Sequence, residues 1–367
     1  MKAIQWIISA LVAVVIIAAV GGGVYFTRLK SIHSIRKLTD YENYNLYRMD
    51  IDYAYDLDRL IDRGITDNQS MINAILAEAL PYLPIHMKAP NFGCSAFCTQ
   101  GTDGHTLMGR NYDFKNDTSA MLVYCTPKDG YASVAFAALD NINANTPDAS
   151  MAKKLATLTA PFICLDGMNE KGVSIAVLTL DSDPTYQQTG KPMIATTLAI
   201  RLVLDRAATT AEAVELLSKY DMFASSGRDY HFYITDASGD GRVLEYDCND
   251  PTRPLTVTSR SVTNFFVMYK DNVLPNQRNG VYGHGRERYD AIEEILDANA
   301  GSIDREIAWQ ALQAASQAPN PQDVTSNTQW SILYDNTALT AEAVIRRDWN
   351  TKTSYDLVSN VAVTDVG

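Results

Sequence analysis

The first pattern along the chain is one long apolar block. Between Trp6 and Phe26 the only strongly polar side chain is Ser9, and Lys2 stands before the block. As a helix the block is about 30 Å long, the thickness of a bilayer's hydrocarbon core. It predicts a signal anchor or signal peptide over residues 1–26, with residues 4–26 in contact with membrane. Ala19-Val20-Gly21 offers a small-x-small cleavage site, but the apolar character runs on through Val24-Tyr25-Phe26, which favours a retained anchor. Arg28, Lys30, Arg36 and Lys37 on the far side oppose export under the positive-inside tendency, although large domains often cross regardless. The expectation is a domain on the extracytoplasmic side of the cell membrane, or a secreted one if the block is removed.

Beyond this block the periodicity changes twice. Residues 27–93 are rich in Tyr and Asp, with a helical pattern over Ser70–Leu80 that ends at Pro81, Pro84 and Pro90. From Cys94 strand patterns dominate: Cys94–Gln100, a tight turn at Thr102-Asp103-Gly104-His105, and a returning strand over Thr106–Phe114. Further strands are expected at Ser133–Leu139, Val173–Leu180, His231–Thr235, Arg242–Tyr246 and Val262–Met268. Helices are expected at Met193–Arg206, Ala211–Lys219, Arg288–Ala298 and Asp304–Gln317, and strands again at Thr328–Tyr334, Ala341–Arg347 and Ser354–Val358. Hairpins, then helices, then hairpins predict an α+β fold of antiparallel sheets with helices packed outside.

Composition narrows the function classes. With 43 acidic and 31 basic side chains the net charge is −12, so a basic face for phosphate backbones is not expected, and nucleic acid is excluded as a partner. Five cysteines (Cys94, Cys98, Cys125, Cys164, Cys248) are odd in number and form no CxxC pair, which argues against a disulfide framework or a zinc site. The acidic runs Asp50–Asp58 and Asp247–Asp250 lack the alternating ligands of a calcium loop.

The hairpin is the most informative local feature. Its turn lies about midway between Cys94 and Asp113, so the two strand ends meet and bring Cys94, Arg110 and Asp113 together. Arg110 can lower the pKa of a thiol, and Asp113 can orient an amine. A buried structural cysteine beside an ion pair fits the spacing equally well. Cys98, four residues on and on the same strand face, is the rival nucleophile. A Cys–His pair has only His33, His86, His105, His231 and His284 to draw on. Of these, His284 stands between Gly283 and Gly285 near two arginines, where it can line a pocket.

Gly93-Cys94 with Gly109-Arg110-Asn111-Tyr112-Asp113 resembles the opening of the choloylglycine hydrolase family, which includes penicillin V acylases and belongs to the N-terminal nucleophile cysteine hydrolases. Asp166-Gly-Met-Asn-Glu-Lys-Gly-Val173 resembles its second block. Val262-Thr263-Asn264 resembles its oxyanion-hole segment, Arg286-Glu-Arg288-Tyr289 the helix start with a second active-site arginine, and Thr328-Gln-Trp-Ser331 its C-terminal strand. The resemblance spans residues 94–367 and implies a four-layer αββα sandwich of two antiparallel sheets. It also implies a hydrolase of linear amide C–N bonds that acts on a small-molecule N-acyl amide without metal or organic cofactor. Cys94 is then the nucleophile and its freed α-amine the base. Asp113 holds the amine, Arg110 and Arg288 favour thiolate, and Asn264 stabilises the oxyanion.

That chemistry requires cleavage between Gly93 and Cys94, which makes residues 27–93 a pro-segment or retained small subunit and residues 94–367 the catalytic domain. Thr179 stands where bile-salt enzymes carry asparagine, a substrate-binding position, so the acyl group is left open, as are acyl transfer and a homo-oligomer. The alternative is a membrane-anchored, non-catalytic binding or regulatory relative with the same fold.

Overall fold

The computed structural model describes residues 22–81, 93–114, 116–278, 280–322 and 326–366. Two sheets pack face to face. In the larger, nine strands run in the order Arg36–Lys37, Leu46–Ile51, Ala120–Cys125, Ser133–Ala138, Cys164–Asn169, Ser174–Leu180, Asp229–Thr235, Arg242–Tyr246 and Leu255–Ser259. The six-stranded sheet runs Val361–Val366, Thr351–Asp356, Thr340–Ile345, Thr328–Asp335, Thr106–Asp113 and Gly93–Gln100. Neighbours are antiparallel except Leu46–Ile51 and Ala120–Cys125, which run parallel.

Helices Thr196–Arg206 and Thr210–Leu217 cover the larger sheet's outer face. Helices Arg286–Ala298 and Arg305–Ala315 cover that of the smaller, completing the expected α+β, four-layer αββα sandwich. Each face follows from pattern: the strands between the sheets and the helices are buried on both sides, as Thr106–Asp113, Ser133–Ala138 and Ser174–Leu180 are at every residue.

Several expected elements take a different form. The segment Val262–Met268, expected as a strand, keeps two isolated bridges, Val262 to Ala96 (N···O 2.8 and 2.9 Å) and Phe265 to Gly283, and enters a 3-10 helix, Val267–Asn272. The cause is the Glu245 carboxylate, which accepts from the Val267 and Met268 amides and turns the chain out of the ladder. Met193–Ala195 forms a short parallel strand with Asp221–Phe223 before its helix begins at Thr196. Two further strands were not expected: Ala120–Cys125 is apolar throughout and carries no alternation, and Leu46–Ile51 alternates only over Arg48-Met49-Asp50-Ile51, where Arg48 and Asp50 pair on one face.

The membrane expectation is corrected. Among the described residues no helix is long and apolar enough to cross a membrane, so the transmembrane helix, the signal anchor and the cell-membrane or secreted location drawn from them are not carried further. Residues 1–21 lie outside the described residues. The end of the apolar block belongs to a helix over residues 22–33 that is docked on the domain. Its Arg28 donates to the Ala79 and Glu78 carbonyls at 2.7 and 2.6 Å, at the C-terminal end of helix Asn68–Ala79, where a cation is favoured.

Candidate active site

The hairpin meets as its spacing predicts. Gly93 pairs with Asp113, Cys94 with Tyr112, and Ala96 with Arg110. The turn is closed by Gly104 at φ +81° and by the Asp103 carboxylate, which accepts from the His105 amide. Gly93–Gln100 is the edge strand of its sheet, and the Ala96–Val262 bridge lays the segment carrying Asn264 alongside it.

Asn264 lies at the centre of the cluster with all its polar capacity used. Its Oδ1 accepts from the Cys94 backbone amide at 3.1 Å and from Arg288 Nη2 at 2.8 Å. Its Nδ2 donates to the Thr179 carbonyl and hydroxyl at 2.9 and 3.2 Å. Two donors on one side and two acceptors on the other fix the orientation of the amide. Thr179, expected as a substrate contact, is buried and holds Asn264.

Arg288 joins three groups. Besides Asn264 it reaches the Cys94 carbonyl at 2.9 Å and the Asp113 carboxylate at 3.4 Å, both through Nη1. Two glycines permit this approach. At Gly283 (φ +101°) a Cβ would stand 2.1 Å from the Asn264 carbonyl oxygen, and at Gly285 (φ +86°) 2.4 Å from Arg288 Nη2. Gly285 also ends the turn that starts helix Arg286–Ala298, placing Arg288 in its first turn.

Asp113 accepts from Thr328 Oγ1 at 2.6 Å and Gln317 Nε2 at 2.8 Å. Burial pushes its carboxyl up from the ordinary range, against Arg288 and those two donors. Arg110 is fully buried, donating to the Asn111 and Val177 carbonyls at 2.5 and 3.0 Å, with Nε 3.4 Å from Asp166 Oδ2. Asp166 is held in turn by Trp330 Nε1 and Tyr334 Oη. Sequence reasoning missed Gln317, Thr328 and Asp166 as members of this cluster. Thr328 and Asp166 lay inside motifs already singled out, whereas Gln317, at the end of an expected helix, gave no signal.

The Cys94 thiol is wholly buried. Burial pushes its pKa up to about 12, more than Arg110 lowers it, and Asp113 adds to the rise. With Gly93 still attached, the Cys94 nitrogen is an amide without a basic lone pair, so this arrangement holds a protonated thiol and no base. Cys98, the rival, accepts from Thr235 Oγ1 at 3.1 Å and lines a separate cavity of about 460 Å³ with Tyr233, Arg260 and Asp297. His284 pairs with Asp181 at 2.7 Å, and its amide donates to the Asn264 carbonyl. Among the described residues no three His, Cys, Asp or Glu side chains come together as metal ligands do.

Comparison with known proteins agrees with this geometry. Residues 94–252 match the family model of linear amide C-N hydrolases, choloylglycine hydrolase family, and the match begins at Cys94 itself. An arginine-to-leucine variant of conjugated bile acid hydrolase from Clostridium perfringens superposes with a TM-score of 0.54 at 16% identity, covering 75% of this chain and 97% of that one. Penicillin V acylase from Agrobacterium tumefaciens superposes with a TM-score of 0.53 at 18% identity, covering 72% and 86%. These likenesses show the fold, a sandwich of two sheets between layers of helices. Over residues 94–252, the segment that opens on Cys94, the chain is similar to the linear amide C–N hydrolases of the choloylglycine hydrolase family.

Proposed function

We propose that the protein hydrolyses an N-acyl amide through a Cys94 thioester after cleavage of its own Gly93–Cys94 bond. The observation that carries this reading is the position of the Cys94 backbone nitrogen, 3.1 Å from Asn264 Oδ1 beside Arg288 and Asp113. A nucleophile whose own amine is the base needs that nitrogen in a polar cradle, and the cradle here is complete.

Activation follows from the same atoms. The Cys94 sulfur attacks the Gly93 carbonyl carbon, the C–N bond breaks, and the thiol proton ends on the leaving nitrogen. Water then hydrolyses the thioester, leaving a carboxylate on Gly93 and a free thiol. The new α-amine, with an ordinary pKa near 8, takes the thiol proton at neutral pH. The thiolate attacks the substrate carbonyl, the amine departs with a proton from the Cys94 ammonium, and water or a second amine resolves the acyl-enzyme. Asn264 Nδ2 serves the oxyanion by exchanging one Thr179 acceptor for it, and Arg110 supplies positive charge beside the sulfur.

Residues 27–93 act as a retained small subunit. Leu46, Met49, Leu60, Ile75 and Ala79 are buried in the common core, and Leu46–Ile51 lies inside the nine-stranded sheet. The bile acid and penicillin named for the relatives stand as candidate acyl-amide classes.

The test is the intact mass and N-terminal sequence of the purified chain beside Cys94→Ala, followed by a panel of N-acyl amides. Wild type beginning at Cys94, an uncleaved variant, and amine release by wild type alone are expected. A wild type that stays joined at Gly93–Cys94 and inert would overturn the reading.

A further inference from the structure

Behind the site lies a buried polar pair that the chemistry above does not use. His231, on strand Asp229–Thr235, and Glu245, on strand Arg242–Tyr246, are both fully buried, with His231 Nδ1 3.2 Å from Glu245 Oε1. A polar pair in such a place costs desolvation and calls for a reason. Its partners supply one. His231 Nε2 stands 2.8 Å from the Thr263 carbonyl, which can only accept, so this nitrogen donates. Glu245 accepts from the Val267 amide at 2.6 Å and the Met268 amide at 3.2 Å.

The pair therefore grips one short segment at both ends. The Thr263 carbonyl belongs to the peptide plane that carries the Asn264 nitrogen, so fixing that oxygen fixes where Asn264 begins. Three residues further, Glu245 stops the chain from continuing as a strand. The Thr263 hydroxyl adds a bond to the Gly285 carbonyl at 2.9 Å, which ties the same segment to the helix start bearing Arg288. Apart from these anchors, the backbone of the segment is held by the Val262–Ala96 bridge to the nucleophile strand, by the Phe265–Gly283 bridge and by the His284 amide on the Asn264 carbonyl.

We propose that the His231–Glu245 pair is the positioning device for Asn264: neither residue touches the reacting atoms, and both act through the placement of the Asn264 amide. The proposal rests on the hydrolase reading above, and its test separates the two.

The first readout is steady-state hydrolysis of the N-acyl 4-nitroanilide that wild type cleaves fastest, by the processed full chain. Asn264→Ala is expected to lower kcat about 100- to 1,000-fold, in line with the loss of one oxyanion donor. His231→Phe is expected to lower kcat about tenfold or more with little change in KM, because an interaction made in the transition state is loosened. In the Asn264→Ala background, His231→Phe should add almost nothing, since residues acting as a unit are not additive. His231→Gln, whose amide can still donate to Thr263, should recover much of the loss. Losses that multiply, or a Gln variant no better than Phe, overturn the proposal. If His231→Phe does not fold, Glu245→Gln takes its place in the same cycle.

The second readout is the crystal structure of the same variant. Displacement of the Asn264 amide from the Cys94 nitrogen is expected, and an unmoved Asn264 overturns the proposal whatever wild type catalyses. A wild type inert toward the panel, together with a displaced Asn264 in the variant, sinks the hydrolase reading and leaves the positioning role standing.

Discussion

Asn264 and Cys94, 170 residues apart in the chain, share a hydrogen bond from the Cys94 amide to the Asn264 side-chain oxygen at 3.1 Å. The same oxygen is held by Arg288, and the amide nitrogen opposite by Thr179. Asn264→Asp tests the polarity of this arrangement. The carboxylate keeps an acceptor toward Cys94 and Arg288 but cannot donate to Thr179 or to an oxyanion. Cleavage at Gly93–Cys94 should slow and amide turnover should fall about 100-fold or more, the scale of a lost oxyanion donor. Mass spectrometry of the maturing chain and amine release measure the two effects.

Arg288 pairs with Asp113 inside the protein, both side chains being nearly or wholly buried. Arg288→Met leaves a buried carboxylate without its cation and a Cys94 carbonyl without a donor. A loss of about 3–5 kcal/mol in unfolding free energy is expected, as for other broken buried pairs. Arg288→Lys should restore little, because one ammonium cannot reproduce the two guanidinium nitrogens that reach Cys94, Asp113 and Asn264. Urea unfolding of the three chains decides it.

The thiol of the uncleaved chain should be nearly inert at neutral pH. With its pKa pushed up to about 12 by burial, only about one molecule in ten thousand carries thiolate at pH 8. Iodoacetamide labelling of Cys94, followed by peptide mass spectrometry, should rise about tenfold per pH unit up to that pKa. Folding is linked with the same sign. The folded pKa lies above the ordinary thiol value of 9.0, so this contribution to stability is present below pH 9 and is lost as pH rises toward 12. Cys98 and Cys125, raised to about 11, act in the same direction. Urea midpoints should therefore fall above pH 9.

Cleavage at Gly93–Cys94 should not release the preceding segment. Met49 is wholly buried on a strand paired in parallel with Ala120–Cys125 from the other side of the cut. The two pieces should elute together in gel filtration under native conditions and separate only in denaturant. Met49→Ala should cost about 2–5 kcal/mol, the range for large-to-small core changes. Separation of the wild-type pieces in native buffer would show that the segment is a removable pro-segment.

Much of the site's inner half was legible in the chain itself. The hairpin from Cys94 to Asp113 is a local structure, set by alternation and an Asp-Gly turn, so its register and the meeting of Cys94, Arg110 and Asp113 follow from spacing. The sheet-and-helix order also follows from periodicity, because antiparallel strands and amphipathic helices each write their contacts at short range. The strand Ala120–Cys125 escaped for the converse reason: apolar at every residue, it has no alternation to read. The apolar block before residue 27 promised a membrane helix, and in the described residues its end is a helix docked through Arg28.

What the amino-acid order determined by itself, then, is a thiol at a strand end with an arginine and an aspartate beside it, within an α+β sandwich. The motif resemblance also named Asn264, Arg288 and Thr179, and the tertiary structure decided how the rest of the cradle is assembled. Asn264, Arg288, Thr179, Thr328 and Gln317 come from five separate segments, and no local pattern states which of them will face Cys94. Their convergence depends on the pairing of two sheets, on glycines at 283 and 285 that admit close backbone approach, and on the Glu245 carboxylate that bends an expected strand into a turn. Such long-range contacts are selected by burial and hydrogen-bond satisfaction across the whole domain, which short-range periodicity does not encode.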